Sequence, residues 1–369
     1  MIIRPRRPAL FPLLIASFLL AAPARPGILL SAAASRQAAP KPAAPPVPAV
    51  FRILESEFIV PSPAFASSHA STIVETPSGL VAAWFGGSRE GAPDVGIWLA
   101  LRDGRAWSEP SEVAAGVLSG DPRRYPCWNP VLFRRRSGEL LLFYKVGPAP
   151  ASWWGMLKIS SDDGRTWGAA HRLPAGILGP IKNKPIELAD GTMLCGSSVE
   201  EGGWRVHMEW TRDPVGAWSR GADLNEAPAI SAIQPAILRF PDGLLQALCR
   251  SKQGVLMASW GKAADPSSWT RLAPTDVPNP DSGIDAVTLA DGRAVLVYNP
   301  LRRGRDILDV AYSLDGKSWR PAYRLEDDPA REFSYPAVIQ TADGRLHVTY
   351  TWRREKIRHV VLDPGILPK

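Results

Sequence analysis

The chain has 369 residues, of which 45% are hydrophobic and 21% charged, so it has enough apolar sequence to form a large core without disulfide support. Its net charge of +7 comes from basic residues that are scattered rather than clustered, so we do not expect a nucleic-acid-binding surface. The cysteines (Cys127, Cys195 and Cys249) have neither CxxC nor metal-ligand spacing, so they predict buried free thiols.

The N-terminal segment, residues 1–24, has the pattern of a secretory signal peptide. Arg4, Arg6 and Arg7 precede an apolar stretch over residues 9–22, and a small-x-small cleavage pattern follows at residues 22–24. We therefore expect a secreted or periplasmic protein with a mature charge of +4, because the segment removes three arginines and no acidic residue. The apolar stretch is shorter than the roughly 20 residues of a bilayer span, and no later stretch qualifies, so no membrane span is predicted.

Residues 25–50 are mostly alanine and proline and have too little apolar bulk for a core. They predict an extended linker. The remaining residues, 51–369, are expected to form one domain.

A repeat of about fifty residues runs through this domain. Its first marker is a tryptophan that closes a turn-like segment, at positions 107, 167, 218, 269 and 319. Segments 161–167 (SDDGRTW) and 313–319 (SLDGKSW) share Ser-x-Asp-Gly-x-Ser/Thr-Trp, which pairs Ser161 with Ser313 and Asp163 with Asp315. Such segments are expected to be structural, because Ser and Asp satisfy backbone donors, Gly takes a positive φ and Trp packs between strands.

A second marker, a turn glycine followed by a β-rich run, occurs in phase with the tryptophans. The six positions are Gly79, Gly138, Gly191, Gly243, Gly292 and Gly344. Six units that each hold about four short strands predict an all-β fold, a six-bladed β-propeller.

The inner strands of a propeller converge at one end, so the first residues of these strands should surround a shared pocket. Counting eight residues back from the turn aspartate or its equivalent identifies these positions in four repeats, and in the first and fifth repeats it falls on Ala70, beside His69, and on Gly283, between Asp281 and Asp285. The predicted pocket residues are His69, Asn129, Lys182, Gln234, Asp285 and Tyr335. His69 could instead be a turn residue satisfied by the neighbouring serines. A polar set of this kind at the mouth of apolar strands is not what a core requires.

The tryptophan-closed segments resemble the Asp boxes, or BNR repeats, of the sialidase superfamily, and the resemblance covers residues 65–360. In exo-sialidases a tyrosine begins the last inner strand, as Tyr335 does here, and the resemblance implies that it is the nucleophile. The resemblance also implies that Arg250 and Arg305 bind a substrate carboxylate. In the family an arginine precedes the acid/base aspartate by five residues, and Arg89 and Asp94 have this spacing. The resemblance therefore implies that Asp94 protonates the leaving group. Alternatively, Asp94 only caps the turn.

Two positions depart from the family pattern. His69 occupies the place of the third carboxylate-binding arginine, and Gln234 occupies the place of the glutamate that activates the tyrosine. Gln is neutral and cannot accept the proton, and an unassisted phenol is a poor nucleophile.

The leading hypothesis is an exo-glycosidase that removes a terminal acidic sugar, such as sialic acid, from a glycan and requires no metal or cofactor. The first alternative is a propeller lyase acting on uronic-acid-containing glycans, in which His69 or Tyr335 abstracts the proton next to the carboxylate. The second is a carbohydrate-binding propeller without catalysis.

Overall fold

The computed structural model of the chain describes residues 46–62, 65–118 and 120–365. These residues form 27 β-strands and no α-helix, so this part of the chain has no helix long and apolar enough to cross a membrane. The predicted signal peptide, and the predicted linker as far as residue 45, lie outside the described residues.

Six sheets form six blades, which confirms the predicted six-bladed propeller. The first strand, β1 (Arg52–Phe58), belongs to the last blade. Blade 1 consists of β2 (Ser67–Thr76), β3 (Gly79–Gly87), β4 (Gly96–Arg102) and β5 (Ser111–Ala114). A small hairpin, β6 (Gly116–Val117) and β7 (Arg124–Tyr125), follows it. Blade 2 consists of β8 (Cys127–Arg134), β9 (Leu140–Val146), β10 (Trp154–Ser160) and β11 (His171–Arg172).

The other blades follow in chain order, and blade 4 carries an additional strand. Blade 3 consists of β12 (Ile186–Glu187), β13 (Met193–Val199), β14 (Arg205–Thr211) and β15 (Ser219–Arg220). Blade 4 consists of β16 (Ala232–Arg239), β17 (Leu244–Ser251), β18 (Val255–Lys262), β19 (Asp265–Trp269) and β20 (Ala273–Pro278). Blade 5 consists of β21 (Asp285–Thr288), β22 (Ala294–Tyr298), β23 (Ile307–Ser313) and β24 (Arg320–Asp327). Blade 6 consists of β25 (Phe333–Gln340), β26 (Leu346–Trp352), β27 (Lys356–Asp363) and β1.

Strands within a blade are antiparallel, and this determines which loops meet at each end of the propeller. The start of the first strand, the end of the second and the start of the third lie at one end. The tight glycine turn and the tryptophan-closed segment lie at the other. The candidate site is therefore built from three sets of chain segments, not only from the starts of the inner strands.

The ring closes through pairing of the two ends of the domain. Strand β1 pairs antiparallel with β27, so blade 6 contains strands from both ends of the described sequence. Arg102 of blade 1 bonds to Glu55 of β1 at 2.6 Å, and the Trp107 indole donates to Glu57 at 3.1 Å. Because these contacts join blade 1 to the closing strand, they hold the first and last blades together.

The core lies between neighbouring blades. Val295 and Val310 of blade 5 pack in one cluster with Val348 and Val360 of blade 6, and all four are buried. Burial of each such side chain contributes roughly 1.5–3 kcal/mol, so the blades stabilise one another. The three cysteines are buried and unpaired, as predicted. Burial raises the pKa of the Cys127 thiol to about 12, so this cysteine is an unreactive part of the core.

The six turn glycines all adopt positive φ, between 81° and 125°. Residues with a Cβ rarely take this conformation, so the glycines set the tight turn between the first two strands of each blade. The predicted six-unit repeat is confirmed at these positions.

The structure corrects the sequence alignment of the Asp boxes. In the blade 2 box, Ser160 accepts a hydrogen bond from Gly164 N at 2.9 Å, and Asp162 accepts one from Thr166 N at 2.8 Å. Ser160 and Asp162 thus match Ser313 and Asp315, where the sequence had suggested Ser161 and Asp163. The box is one residue longer than the other copy, and Asp163 takes up the extra length with φ of 59°.

This correction predicts unequal costs for two adjacent substitutions. Asp162→Ala removes the acceptor for Thr166 N, the Thr166 hydroxyl and the Ser160 hydroxyl, so we expect a loss of about 1–2 kcal/mol of unfolding free energy. Asp163→Asn keeps a residue that tolerates positive φ and should cost much less. Urea denaturation measures both. An equal loss for the two variants would contradict the corrected alignment.

Candidate active site

Four inner strands share a β-bulge near their first residues. Strand pairing is interrupted between residues 69 and 72, 128 and 131, 233 and 236, and 334 and 337. Inside each bulge one non-glycine residue has a positive φ, namely Ala70 at 52°, Asn129 at 39°, Gln234 at 59° and Tyr335 at 51°. Bulges beside active sites redirect side chains, and strained residues concentrate at functional sites. The positions found by counting in the sequence are therefore structurally special.

Three of these residues precede a proline, at positions 130, 235 and 336. Proline has no backbone N–H, so the hydrogen-bond ladder cannot continue through it. The side chains at the bulges reach beyond their own sheets. Asn129 donates to Ile181 O of the next blade's entry loop at 3.2 Å, and Tyr335 contacts blade 4.

Tyr335 lies at the centre of the candidate site. Its phenolic oxygen accepts a hydrogen bond from Arg250 Nη1 at 2.5 Å. The charged groups of Arg250, Arg305 and Lys182 lie 5.6, 5.8 and 6.0 Å from the centre of the ring. Because Arg250 donates directly to the phenol, it stabilises negative charge that develops on this oxygen during a reaction.

His69 packs against Tyr335 with ring centres 4.3 Å apart and is 1% exposed. Neither of its ring nitrogens has a hydrogen-bond partner among the described residues. Burial holds the pKa of His69 well below 6.5, and the positive charges of Arg354, Arg305, Arg250 and Lys182 lower this pKa further. The ring is therefore neutral at physiological pH and lies in a positive field. Most buried polar atoms in folded proteins have a hydrogen-bond partner, so this unsatisfied ring marks an exceptional position.

Arg250 is held rigidly. It makes a fork on Asp281 through Nε at 3.0 Å and Nη2 at 2.6 Å, and Nη2 also donates to the Asp281 carbonyl at 2.9 Å. Its Nη1 donates to Gln234 Oε1 at 3.2 Å as well as to Tyr335. The guanidinium also stacks over Trp204 at 5.2 Å. Because all five donors are in use, a ligand carboxylate at Arg250 must replace Gln234 or Tyr335.

Arg305 and Arg354 form a second, more accessible cationic pair, 23% and 33% exposed. Both bond to Glu332, Arg305 at 3.2 Å and Arg354 at 3.1 Å, and Arg354 also bonds to Glu90. Burial raises the pKa of the Glu332 carboxyl, but Arg354, a hydrogen bond from Ser334 and Arg305 outweigh this effect and leave the pKa below its usual range. Glu332 is thus ionised and holds the two guanidinium groups side by side.

Lys182 lies beneath this layer and is not free to bind a ligand. Its Nζ donates to Asn183 Oδ1 and to Ile284 O, both at 2.9 Å, and to Pro336 O. These three acceptors use the three donors of an ammonium group. Burial lowers the pKa of Lys182 to about 7. Lys182, which the sequence predicts as a substrate contact, thus connects blades 5 and 6 in this structure.

Asp285, also predicted as a substrate contact, is bonded to neighbouring blades in this structure. It is 2% exposed, and its Oδ2 accepts from Lys184 Nζ and Val338 N, both at 2.8 Å. Its Oδ1 accepts from Ala286 N at 2.9 Å. The residue begins strand β21 and must satisfy neighbouring backbone donors there, so it ties blade 5 to blade 6.

The loop between β3 and β4 brings Glu90 to Arg354, and Arg89, Glu90 and Asp94 are all exposed. Asp94 accepts hydrogen bonds from the Ser88 hydroxyl at 2.8 Å and from Ser88 N at 2.9 Å. These bonds hold the pKa of Asp94 below its usual value. A general acid needs a raised pKa, so the contacts of Asp94 in this structure fit the alternative role of capping the turn better than the role of proton donor.

Sequence reasoning missed Arg354, Glu332, Asp281 as the partner of Arg250, and Glu90. Glu90 and Arg354 lie in loops between the second and third strands of a blade, and Asp281 and Glu332 lie just before a first strand. All these loops are at the end of the propeller where the inner strands begin. A search extended to those loops would have found Arg354, which follows β26 much as Arg250 ends β17.

A close contact with Gly283 predicts a specific sensitivity at Tyr335. A Cβ at Gly283 would lie 3.2–3.3 Å from three atoms of the tyrosine ring, so Gly283→Ala should displace the ring by a few tenths of an ångström. Because misplacement by about 1 Å can cost 10²-fold in rate, we expect kcat/KM to fall about 10-fold. Gly168→Ala, where the nearest atom to a Cβ is 3.4 Å away, is the control. Unchanged kinetics in both variants would show that the position of Tyr335 is not critical.

Comparison with known proteins agrees with the predicted family and fold. The model of the BNR repeat-like domain matches residues 78–348. A protein of unknown function from Dyadobacter fermentans has a similar structure (TM-score 0.71, 16% identity, covering 85% of this chain and 99% of that chain). The NanB sialidase of Streptococcus pneumoniae is also similar (TM-score 0.66, 13% identity, covering 86% of this chain and 71% of that chain). So is the intramolecular trans-sialidase of Ruminococcus gnavus (TM-score 0.65, 12% identity, covering 81% of this chain and 95% of that chain). No curated protein matches the sequence.

Proposed function

Because the chain belongs to the BNR repeat-like domain family and has the sialidase-like propeller fold, we propose that it is an exo-glycosidase that removes a terminal acidic sugar from a glycan. We also propose that it acts in the periplasm or outside the cell, because residues 1–24 have the pattern of a secretory signal peptide.

The proposal is carried by the positive field around His69, whose ring nitrogens have no hydrogen-bond partner in the part of the chain that the structure describes. The charges that most strongly depress its pKa are Arg354, Arg305, Arg250 and Lys182, all cations. Asp281, Glu332 and Glu90 offset part of this positive charge, and an anionic ligand can offset the rest. The proposed ligand is therefore anionic, and a sugar carboxylate matches the planar donors of arginine.

We assign the carboxylate to Arg305 and Arg354, because Arg250 already uses all its donors on the protein. Arg305 donates only to Glu332 and to the Asp281 carbonyl among the described residues, at 3.2 and 2.8 Å. Arg354 thereby takes the role of the third arginine that the sequence lacks at His69.

In the proposed reaction, the Tyr335 oxygen attacks the anomeric carbon and the bond to the leaving oxygen breaks. The phenolic proton is released to solvent, and Arg250 stabilises the negative charge that this leaves on the attacking oxygen. Asp94 donates a proton to the leaving group and later removes one from the water that releases the sugar. The substrate must first raise the pKa of Asp94 by displacing solvent and Ser88.

A lyase is the second candidate, and one observation favours it. The phenolic oxygen of Tyr335 contacts Arg250, which in turn contacts the neutral Gln234, and no described hydrogen bond links this oxygen to a carboxylate. A tyrosine and a neutral histidine next to arginines could instead abstract the proton beside a uronate carboxylate, with the arginines stabilising the enolate-like charge.

Product analysis tests the proposal. The purified chain is incubated with a panel of sialylated and uronic-acid-containing glycans, and the products are identified by mass spectrometry. Release of a terminal acidic sugar with gain of water is the expected result. An unsaturated product without added water would replace the glycosidase with the lyase. Binding of acidic sugars without any product would identify a carbohydrate-binding propeller, and neither binding nor product would reject an acidic-sugar site.

A further inference from the structure

Blade 3 begins with an irregular buried segment in place of a long inner strand. Its inner strand, β12, has two residues, whereas those of blades 2, 4 and 6 have eight. Residues 179–183, before this strand, are nevertheless all buried. We call residues 178–183 the central segment, because its hydrogen bonds reach blades 2, 4, 5 and 6 as well as blade 3.

Two buried charged side chains hold the start of the central segment. The Glu209 carboxyl of blade 3 accepts hydrogen bonds from Leu178 N at 3.1 Å and from Gly179 N at 2.6 Å. Lys145 Nζ of blade 2 donates to Pro180 O at 2.8 Å. Because both side chains are fully buried and bonded to the backbone, they fix the path of the segment.

The next residues of the segment contact two of the inner-strand bulges. Ile181 O accepts a hydrogen bond from Asn129 Nδ2, in the bulge of blade 2, at 3.2 Å. Asn183 Nδ2 donates to Gln234 O, in the bulge of blade 4, at 3.1 Å. Strand pairing is interrupted at both positions, so these hydrogen bonds join the bulges to the segment instead of to a neighbouring strand.

Lys182, between these two residues, reaches the bulge that contains Tyr335. Its Nζ donates to Pro336 O, the carbonyl of the residue that follows Tyr335 within the bulge. The same Nζ donates to Ile284 O and to Asn183 Oδ1, both at 2.9 Å. A non-glycine residue with a φ of 51°, such as Tyr335, keeps this conformation only when its surroundings impose it. The lysine is part of those surroundings.

We propose that the central segment positions the reactive residues of the candidate site, and that Lys182 and Asn183 are positioning residues for Tyr335 and Gln234. The catalytic consequence rests on the proposed function, because it concerns attack by the Tyr335 oxygen. Neither positioning side chain is placed against the substrate, since the carboxylate is assigned to the second cationic pair. Loss of the Lys182 contacts should therefore lower kcat with little change in the binding of acidic sugars.

Crystal structures and kinetics of Lys182→Met test the proposal. Methionine fills a similar volume without donors, so we expect the Tyr335 oxygen to move by about 0.5–1 Å and kcat on the glycan cleaved in the product analysis to fall about 10- to 100-fold. Affinity for free sialic acid or free glucuronic acid, measured by calorimetry, should change by less than about 3-fold. The control is Lys158→Met, because Lys158 Nζ donates to Val113 O at 2.8 Å and contacts none of the four inner-strand bulges.

A pH profile separates positioning by the ammonium group from a purely structural role. The titratable and charged groups around Lys182 are Asp285, Lys184, Arg250, Tyr335 and His69. Burial lowers the pKa of Lys182 to about 7, whereas the pKa of His69 lies well below 6.5. A neutral amine has two donors for three acceptors, so kcat should fall as the pH rises through about 7.

Stability should change in the opposite direction over the same range. In the unfolded chain Lys182 keeps its proton up to about pH 10.5, so between pH 7 and 10.5 the unfolded state binds more protons than the folded state. The free energy of unfolding should therefore rise while kcat falls. A purely structural role would make activity and stability change together.

Asn183→Asp is a second variant, which keeps an acceptor for Lys182 and removes the donor to Gln234 O. The added negative charge favours the ammonium group, so the midpoint of the kcat profile should move up by about one pH unit. If Lys182→Met does not fold, this profile decides, and an unchanged midpoint would overturn the proposal.

The remaining outcomes distinguish this proposal from the proposed function. An unmoved Tyr335 or an unchanged kcat in Lys182→Met would overturn the positioning role and leave the proposed function standing. So would a fall in kcat near pH 7 that persists in this variant, which would assign the titration to Lys145, whose pKa burial also lowers to about 7. A displaced Tyr335 in a protein that cleaves no acidic glycan would reject the proposed function and support the positioning role.

Discussion

Tyr335→Phe is expected to lower kcat by about 10³-fold or more, because it removes the oxygen proposed to bond to the sugar. The phenyl ring retains the contacts with His69 and Gly283, so the fold should persist. Loss of the Arg250 hydrogen bond should cost about 1 kcal/mol in unfolding free energy. Tyr312→Phe, at a buried tyrosine of blade 5, is the matched control and should leave kcat unchanged.

Two further measurements decide how Tyr335 acts. A fluorinated substrate should leave a covalent adduct on Tyr335 if the residue is the nucleophile. Gln234→Glu should raise the hydrolytic rate, because Gln234 shares Arg250 Nη1 with the phenol and a carboxylate there provides the missing base. Absence of an adduct, together with loss of turnover in His69→Ala, would favour proton abstraction. Full activity in Tyr335→Phe would remove the tyrosine from the mechanism.

Arg305→Lys is expected to weaken binding of acidic sugars by about 10- to 100-fold, because charge-assisted hydrogen bonds contribute about 1.5–3 kcal/mol. Lysine keeps the charge beside Glu332 but loses the planar pair of donors. Arg354→Lys should have an effect of similar size, and the double variant should lose nearly all affinity. Direct calorimetry with the acidic monosaccharide measures each change.

The control for charge and folding is Arg271→Lys, at an exposed arginine paired with Glu226. It should bind acidic sugars normally. A neutral analogue in which the carboxylate is reduced to an alcohol should bind weakly to the unsubstituted protein and be indifferent to Arg305→Lys. If the acid and the alcohol lose equal affinity, the arginines do not recognise the carboxylate.

The repeat and the central pocket residues could be predicted because both depend on local geometry. Each turn glycine sets the start of an outgoing strand, and a strand of nearly constant length separates it from the pocket. Counting back from the turn therefore reached Asn129, Gln234 and Tyr335, and in blade 1 the Ala70 beside His69. The positive φ at these positions could not be deduced from the sequence. The prolines that follow three of them indicate only that the backbone hydrogen bonds of the strand are interrupted there.

The second cationic pair could not be predicted, because it depends on loops of different blades. Arg353 and Arg354 take consecutive positive φ of 58° and 59°, a turn that no glycine marks in the sequence. Backbone hydrogen bonds from Phe333 to Arg305 and from Arg353 to Glu332 then bring these segments together. The contacts of Lys182 and Asp285 could not be predicted for a similar reason, since most of their partners lie in other blades.

The repeated bulge has the same backbone form whatever side chain it carries. Ala70, Asn129, Gln234 and Tyr335 differ in size, charge and chemistry, yet the four strands bend in the same way around them. The residue in each bulge can be replaced at little cost to the sheet, since it lies outside the ladder of backbone hydrogen bonds and contributes little to strand pairing. A propeller of this kind can exchange its reactive groups one blade at a time while the framework is preserved, so new chemistry can evolve without a new fold.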